Sequence, residues 1–371
     1  VRIRNIWLTD FRSYEAVHLS CPPGICAVIG DNGVGKTNLL EAIAYLATLS
    51  SFRSAPLDAL ISTGADSAVV RAEVEHEDRV HLIEAEINRD RPNRVMVNRQ
   101  RLRRSKDLRD SLRVSVFSPD DLELLKGSPG VRRSYTDDLL VSLHQRNDTV
   151  RSNWEKALRQ RNALLKQVGG RLDDTAGATL DVWDTKAAQA GEQLVALRVD
   201  LLERLGPHVQ HAYEDIAGRG ETVNLQYRSV WEGPLLSTLA QARRDDLRRS
   251  VTTMGPHRDE VVVELAGRPA RTHCSQGEQR CLALAFRLAA HRLVAAEFGS
   301  PPVLLLDDVF SELDPERASA LVAALPIGQA FVTTAAGLPD SVQPEETVQV
   351  LPGQLVQLGV QTPTPRAAVS E

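Results

Sequence analysis

Residues Gly30-Asp31-Asn32-Gly33-Val34-Gly35-Lys36-Thr37 follow directly on the apolar run Ile25 to Ile29. They lead into Asn38 to Leu46, where Leu39, Leu40, Ile43 and Leu46 recur at helical spacing. A glycine-rich loop between a buried strand and a helix is a phosphate-binding loop, and it commits the chain to an α/β fold organised around a nucleotide. Gly30, Gly33 and Gly35 permit backbone angles closed to other residues, so consecutive N–H groups curl around a polyphosphate at the positive end of the helix. Lys36 adds a mobile charge for the outer phosphates, and the Thr37 hydroxyl suits magnesium.

With 371 residues the chain is long enough for two domains, or for one domain with a large insertion. It is 42% hydrophobic and has neither an apolar run of bilayer length nor a charged-then-apolar leader, so the expected place is the cytoplasm, with no membrane contact. Cys21, Cys26, Cys274 and Cys281 lack the C-x-x-C spacing of zinc sites and are expected as reduced thiols.

The net charge of −5 is unevenly spread. From Arg89 to Arg113 ten Lys or Arg stand against three Asp, which is +7 and leaves −12 for the remainder. Arg89, Arg91, Arg94, Arg99, Arg101, Arg103, Arg104 and Lys106 are the candidate contacts to a nucleic-acid backbone, against the alternative of a solvated charged surface.

Short β-prone runs surround the loop at 3–8, 17–19, 69–74, 80–87 and 95–97, and Arg91-Pro92-Asn93-Arg94 reads as a hairpin turn. Beyond Val131 the spacing becomes helical, with Val150, Trp154, Ala157, Leu158, Arg161, Leu164, Leu165 and Val168 on one face. A second series, Trp183, Ala187, Ala190, Leu194, Leu197, Leu201 and Leu205, makes a packing seam that Gly206-Pro207 is expected to end. The stretch from Gly169 to Gly177 is the loop that lets the two helices fold back on each other. A seam helix of about 24 residues spans about 36 Å. β-prone runs return at 223–227 and 261–265, so the helices form an arm inserted into an α/β head. The expected division is a head of 1–125 with 215–350, an arm of 126–214 and a C-terminal tail of 351–371.

Pro302 to Asp308 is an apolar strand ending in two carboxylates, where a phosphate-loop protein needs an acid to organise magnesium. Asp307 takes that role, and Asp308 is suited to orient or deprotonate the attacking water. Ser275 and Glu278 have capping-box spacing ahead of a helix, and a polar, Gly-containing helix start offers N–H groups and a hydroxyl to an anion.

Ser275-Gln276-Gly277-Glu278-Gln279 resembles the signature segment of the ATP-binding-cassette class. The resemblance implies that Ser275 and Gly277, with Gln279, serve the γ-phosphate of ATP held by a second copy. Ser311 to Asp314 resembles the D-loop of that class, and Phe331 to Thr334 its switch strand. Thr334 stands where many relatives carry His, and Asp308 where Glu is usual, which argues for slow turnover.

The closer resemblance is to the RecF family of bacterial recombination and repair ATPases. It rests on Phe11-Arg12-Ser13-Tyr14, the phosphate loop, Ser118-Pro119-Asp120-Asp121-Leu122 and Lys126-Gly127-Ser128-Pro129-Gly130-Val131-Arg132-Arg133. Thr253-Met254-Gly255-Pro256-His257-Arg258-Asp259, the signature and the acidic strand follow, in order, to the vicinity of Asp340.

The resemblance implies a head of the ABC/SMC type with a short helical arm, bound ATP and Mg2+, and an ATP-dependent homodimer. It further implies contact with double-stranded and gapped DNA, partnership with RecR, RecO and RecA, and a role in repair, replication restart and the SOS response. Arg12 and Ser13 are then expected near the phosphates. Two other readings remain at this point: the ATPase subunit of a membrane transporter, and a nucleotide-gated module that scarcely hydrolyses ATP.

Overall fold

The first strand shows how sequence pattern and pairing register combine. In the computed structural model, β1 (Arg2–Phe11) buries Ile3, Ile6, Leu8 and Phe11. Ile3 and Ile6 are three apart, which strict alternation forbids, and a register shift between Ile3 and Asn5 supplies the extra residue. The structure describes all residues except 78, 103–107, 109–110, 171, 327, 336 and 360–371.

After β2 (Tyr14–Ser20) the chain enters β3 (Ile25–Ile29) and helix α1 (Lys36–Thr48). It then adds β4 (Ser67–His76), β5 (Arg79–Asn88), β6 (Arg94–Val97) and β7 (Gln100–Arg101). These build an antiparallel sheet in the order β2-β1-β4-β5-β6-β7. Its inner face, with Val70, Ala72, Val74, Ile83 and Ala85, joins Leu39, Ile43 and Leu46 of α1 in one apolar core. β8 (Val114–Phe117) belongs to a second sheet.

By packing, the protein divides into two units, residues 1–119 with the chain from Val294 onward, and Asp120–Leu293. The second unit starts with α2 (Glu123–Lys126), α3 (Pro129–Leu143), α4 (Arg146–Val168) and α5 (Asp174–Ala217). Next come β9 (Val223–Arg228), α6 (Leu235–Arg249), β10 (Glu260–Leu265), β11 (Arg268–Pro269), α7 (Ala270–His273) and α8 (Gln276–Phe298). Residues 215–293, expected with the head, pack in the unit of the arm helices, because β9 lies against α5 and β10 against α3.

The expected seam is present. Trp154, Ala157, Ala187, Ala190 and Leu194 pack together with Leu235 and Leu239 of α6. Two local readings change. Helix α5 runs through Pro207 to Ala217, because Val209, Ala212, Tyr213 and Ile216 are buried downstream. That packing outweighs the roughly 3 kcal/mol an interior proline costs. At 44 residues the helix is about 66 Å long rather than the expected 36. The loop before it is shorter than 169–177: Asp173 caps α5 by accepting from the Ala176 N–H at 2.7 Å, which leaves Gly177 inside the first turn.

Arg161, assigned to the packed face, is fully buried and pairs with Asp184 and Asp246, each at 2.6 Å. Such a cation is tolerated only because two carboxylates and the Thr252 hydroxyl surround it.

The chain finally completes the second sheet of the first unit with β12 (Val303–Asp307), α9 (Pro315–Ala324), β13 (Ala330–Thr334), β14 (Glu346–Leu351) and β15 (Gln354–Gly359). Its order is β15-β14-β3-β13-β12-β8, parallel except for the β14–β15 hairpin. β12 and β13 are buried throughout, as strands covered on both faces must be. The ordered fold continues past 350, since β15 pairs with β14 where a tail was expected. Among the described residues no helix is long and apolar enough to cross a membrane.

Candidate nucleotide site and basic hairpin

Parallel strands present their carboxyl ends along one edge, and in open α/β sheets ligands bind there. At that edge the loop after β3 bends with Gly30, Gly33 and Gly35 at φ 152, 82 and 118°. A Cβ on Gly30 would stand 2.6 Å from the Val350 carbonyl oxygen, and one on Gly35 2.7 Å from Ser13 Oγ. Glycine is therefore required at both positions for space as well as angle.

Side chains tie the loop down. Lys36 Nζ donates to the carbonyl oxygens of Gly30 at 2.7 Å and Asp31 at 2.8 Å. The Tyr14 hydroxyl donates to the Gly35 carbonyl at 2.9 Å. Asp31, Asn32 and Gly33 are exposed, Val34 is half-buried, and α1 starts at Lys36 with its unpaired N–H groups facing the loop.

Two strands away, Asp307 closes the site. Its Oδ1 accepts from Thr37 Oγ1 at 2.8 Å and from Thr333 Oγ1 at 2.9 Å, so the two residues read as magnesium ligands meet. Burial raises the Asp307 pKa, the two hydroxyl bonds oppose the rise, and the neighbouring Asp308 carboxylate adds to it. Carboxylate and hydroxyl oxygens fit Mg2+, which takes one or two protein oxygens and completes its shell with phosphates and water.

Asp308 sits in the left-handed region at φ 49°, its N–H bonded to Thr333 Oγ1 at 2.9 Å. Its buried Oδ1 has no hydrogen-bond partner. A desolvated acceptor in that state is suited to take a proton or fix a water.

Arg12 occupies a place not foreseen. Its guanidinium makes a two-pronged pair with the buried Glu41 carboxylate, both bonds 2.8 Å, and donates to the Ala59 carbonyl at 2.9 Å. Instead of facing the loop, it fixes the β1–β2 turn, which sets Ser13 beside Gly35. Ser13 Oγ accepts from Asn38 Nδ2 at 3.0 Å. Neither Glu41 nor Tyr14 carried a sequence signal for its part, since the partners lie 29 and 21 residues away.

In the second unit, the capping box is formed. Glu278 Oε2 accepts from Ser275 N at 2.7 Å and from Ser275 Oγ at 2.8 Å, and exposed Ser275 opens α8. Gln279, expected among the nucleotide contacts, is buried, and its amide donates to the Ala270 and Arg271 carbonyls at 3.1 and 3.2 Å. It braces the segment before Ser275. Thr334 ends β13 with its hydroxyl on the Gly337 carbonyl at 2.9 Å.

Of the basic candidates, Arg89, Arg91, Arg94, Arg99 and Arg101 are exposed around the β5–β6–β7 hairpins. Asn98 and Arg99, at φ 51 and 66°, form the tight turn between β6 and β7. Arg94 has the Glu86 carboxylate at 3.8 Å, which offsets its charge, and Arg89 donates to the Ala65 carbonyl, which holds its side chain while leaving its charge. Arg103, Arg104 and Lys106 lie outside the described residues.

The description RecF/RecN/SMC N terminal domain matches residues 2–336. The DNA replication and repair protein RecF of Streptomyces avermitilis is 41% identical over 352 residues, 91% of this chain and 94% of that protein. The chain belongs to the RecF family. Its counterpart in Beutenbergia cavernae is 40% identical, covering 93% of this chain and 95% of that protein. The recombination mediator protein RecF of the RecFOR pathway, solved as RecF-ATP, superimposes with a TM-score of 0.88 at 27% identity, over 96% of this chain and 97% of that one. An Smc head domain from Pyrococcus furiosus gives 0.56 at 18% identity over 96% of each chain and shares the fold. The fold is thus that of an ABC/SMC-type ATPase head, and the RecF family places the chain among proteins of DNA replication and repair.

Proposed function

We propose that the protein binds ATP with Mg2+ at residues 30–37 and that two copies close over the bound nucleotides. One observation carries the reading: the Thr37 hydroxyl and the Asp307 carboxylate, 270 residues apart, meet at 2.8 Å beside a glycine cradle at a helix start. Lys36 and the loop N–H groups hold the phosphates, Thr37 and Asp307 hold the metal, and Ser275 and Gly277 of the second copy complete the γ-phosphate shell. Bound Mg2+ supplies charge neutralisation on the phosphate oxygens. Asp308 accepts a proton from the attacking water; its short side chain and Thr334 fit a weak, DNA-stimulated ATPase. Functionally the head is 1–125 with 215–350, since it needs both Asp307 and Ser275, and the arm is 126–214.

Dimerisation brings two basic hairpins onto one nucleic acid, double-stranded or gapped, held through backbone phosphates. In the cytoplasm the protein acts with RecR and RecO to place RecA at gaps, in repair, replication restart and the SOS response. RecF-ATP structures and relatives named for replication and repair support this reading. Sedimentation velocity with ATP, ADP or no nucleotide tests it on wild type, Lys36→Met and Ser275→Arg. The expected result is a dimer with ATP only, lost in both variants. A dimer in nucleotide-free buffer, or one that tolerates Ser275→Arg, overturns it.

A further inference from the structure

The β14–β15 turn and β15 lie in the stretch 351–371 expected as tail, yet the turn stands at the nucleotide site. β14 is parallel to β3, with Gln349 opposite Ile29, so Val350 and the turn lie at the same carboxyl edge as the phosphate loop. The Val350 carbonyl oxygen is the atom that leaves no room for a Cβ on Gly30. A Cβ on Gly353 would lie 3.5 Å from the Ser13 carbonyl oxygen, so the turn also reaches the β1–β2 turn. Pro352-Gly353, with Gly353 at φ 72°, closes the hairpin between paired Leu351 and Gln354.

The direction of a bound nucleotide follows from strand order. The metal-facing groups are on α1 and β12, and β12 is separated from β3 by β13; β14 flanks β3 on the opposite side. A triphosphate whose terminal oxygens point toward Asp307 carries its nucleoside away from β12, toward Ser13 and the β14–β15 turn. At that place Leu351, an aliphatic residue with 39% of its surface exposed, directly follows Val350, whose carbonyl oxygen abuts Gly30. Nucleobases have large apolar faces, and small-molecule sites supply apolar side chains for them.

Resting on the phosphate-loop reading, we propose that residues 351–354 wall the nucleoside half of the site and that Leu351 packs on the face of the base. The test is calorimetric titration of the full chain with Mg-ATP and, separately, with inorganic tripolyphosphate, on wild type, Leu351→Ala and Val356→Ala. Leu351→Ala is expected to weaken ATP binding about tenfold and leave tripolyphosphate unchanged, while Val356→Ala, beyond the turn, changes neither. Unaltered ATP affinity in Leu351→Ala, or a parallel loss for both ligands, overturns the proposal. A wild-type protein that binds tripolyphosphate as tightly as ATP overturns it while sparing the phosphate loop. One that binds neither ligand overturns the loop reading itself.

Discussion

Arg133 Nη1 donates to the carbonyl oxygen of Asp259 at 2.6 Å and so joins two segments 126 residues apart. Both segments stood out in the sequence, Lys126 to Arg133 and Gly255 to Asp259, and the second had no physical explanation there. The buried Asp259 carboxylate accepts from the Tyr227 hydroxyl at 2.7 Å and the Val230 N–H at 3.0 Å. Arg198 donates to the Pro256 carbonyl at 2.9 Å, and His257 Nε2 lies 3.0 Å from the Thr252 carbonyl. Gly255, at φ 123°, faces Trp154, and a Cβ there would come within 3.0 Å of the ring. The segment clamps α3, α4, α5 and β9 together within the second unit.

Asp259→Ala removes the acceptor of two buried donors and is expected to cost about 2–4 kcal/mol. Urea denaturation checks the value. A loss below about 0.5 kcal/mol, the range of neutral surface changes, removes the clamp from the account.

Burial works against the charge of the Asp307 carboxylate. Because burial raises its folded-state pKa, the native state holds the proton more tightly than the unfolded chain, and stability falls as pH rises through the window above 3.8. Asp307→Asn is therefore expected to raise the Tm of the nucleotide-free protein at pH 7, by about 1–3 °C for each kcal/mol relieved in a chain of this size. It should also abolish Mg2+-dependent nucleotide binding. Calorimetric scans from pH 7 to pH 4 should show the gain shrink as the wild-type carboxyl takes up its proton. A variant less stable than wild type at pH 7 contradicts the assignment.

His291 is buried in α8 with Nδ1 unpartnered, and burial lowers its pKa to about 4, with Arg292 adding to the effect. The unfolded chain then binds the proton first, so stability is lost on acidification from pH 6.5 toward 4. The loss attributable to this group is about 2–3 kcal/mol. His291→Leu should flatten that part of the profile in denaturant titrations at several pH values. An unchanged slope means that other groups cause the acid sensitivity.

For the basic hairpins, a clamp that neutralises about five duplex phosphates gives a logarithmic salt slope near −4.5. Replacing Arg91, Arg99 and Arg101 by Ala should weaken binding alike for all sequences and make the slope shallower by about 0.9 for each lost contact. Fluorescence anisotropy across a salt series reads both quantities. An unaltered slope places the nucleic acid elsewhere.

What could be read beforehand was what lies contiguous in the chain. The phosphate loop, the acidic strand and the capping box each carry their chemistry within a few residues, and each forms where expected. Arg161 was legible as a buried position but not as an ion pair, since Asp246 is 85 residues away. Arg12 was legible as part of a local motif but not as the partner of Glu41, which announces itself only as a polar residue on an apolar helix. At Pro207 a sound local rule lost to burial further along, and for β15 a short, mostly exposed strand showed its role only once β14 was beside it. The sequence-local signal stops where partners are chosen by topology.

The cradle is already tied at both ends, by Lys36 across Gly30 and Asp31 and by Tyr14 on Gly35. A ligand arriving there has little chain to immobilise, so less of its attraction is consumed in ordering and more survives as net affinity. On the proposed reading, capture depends on the exchange of the Lys36 ammonium from carbonyl oxygens to phosphate, a side-chain rearrangement rather than a loop closure.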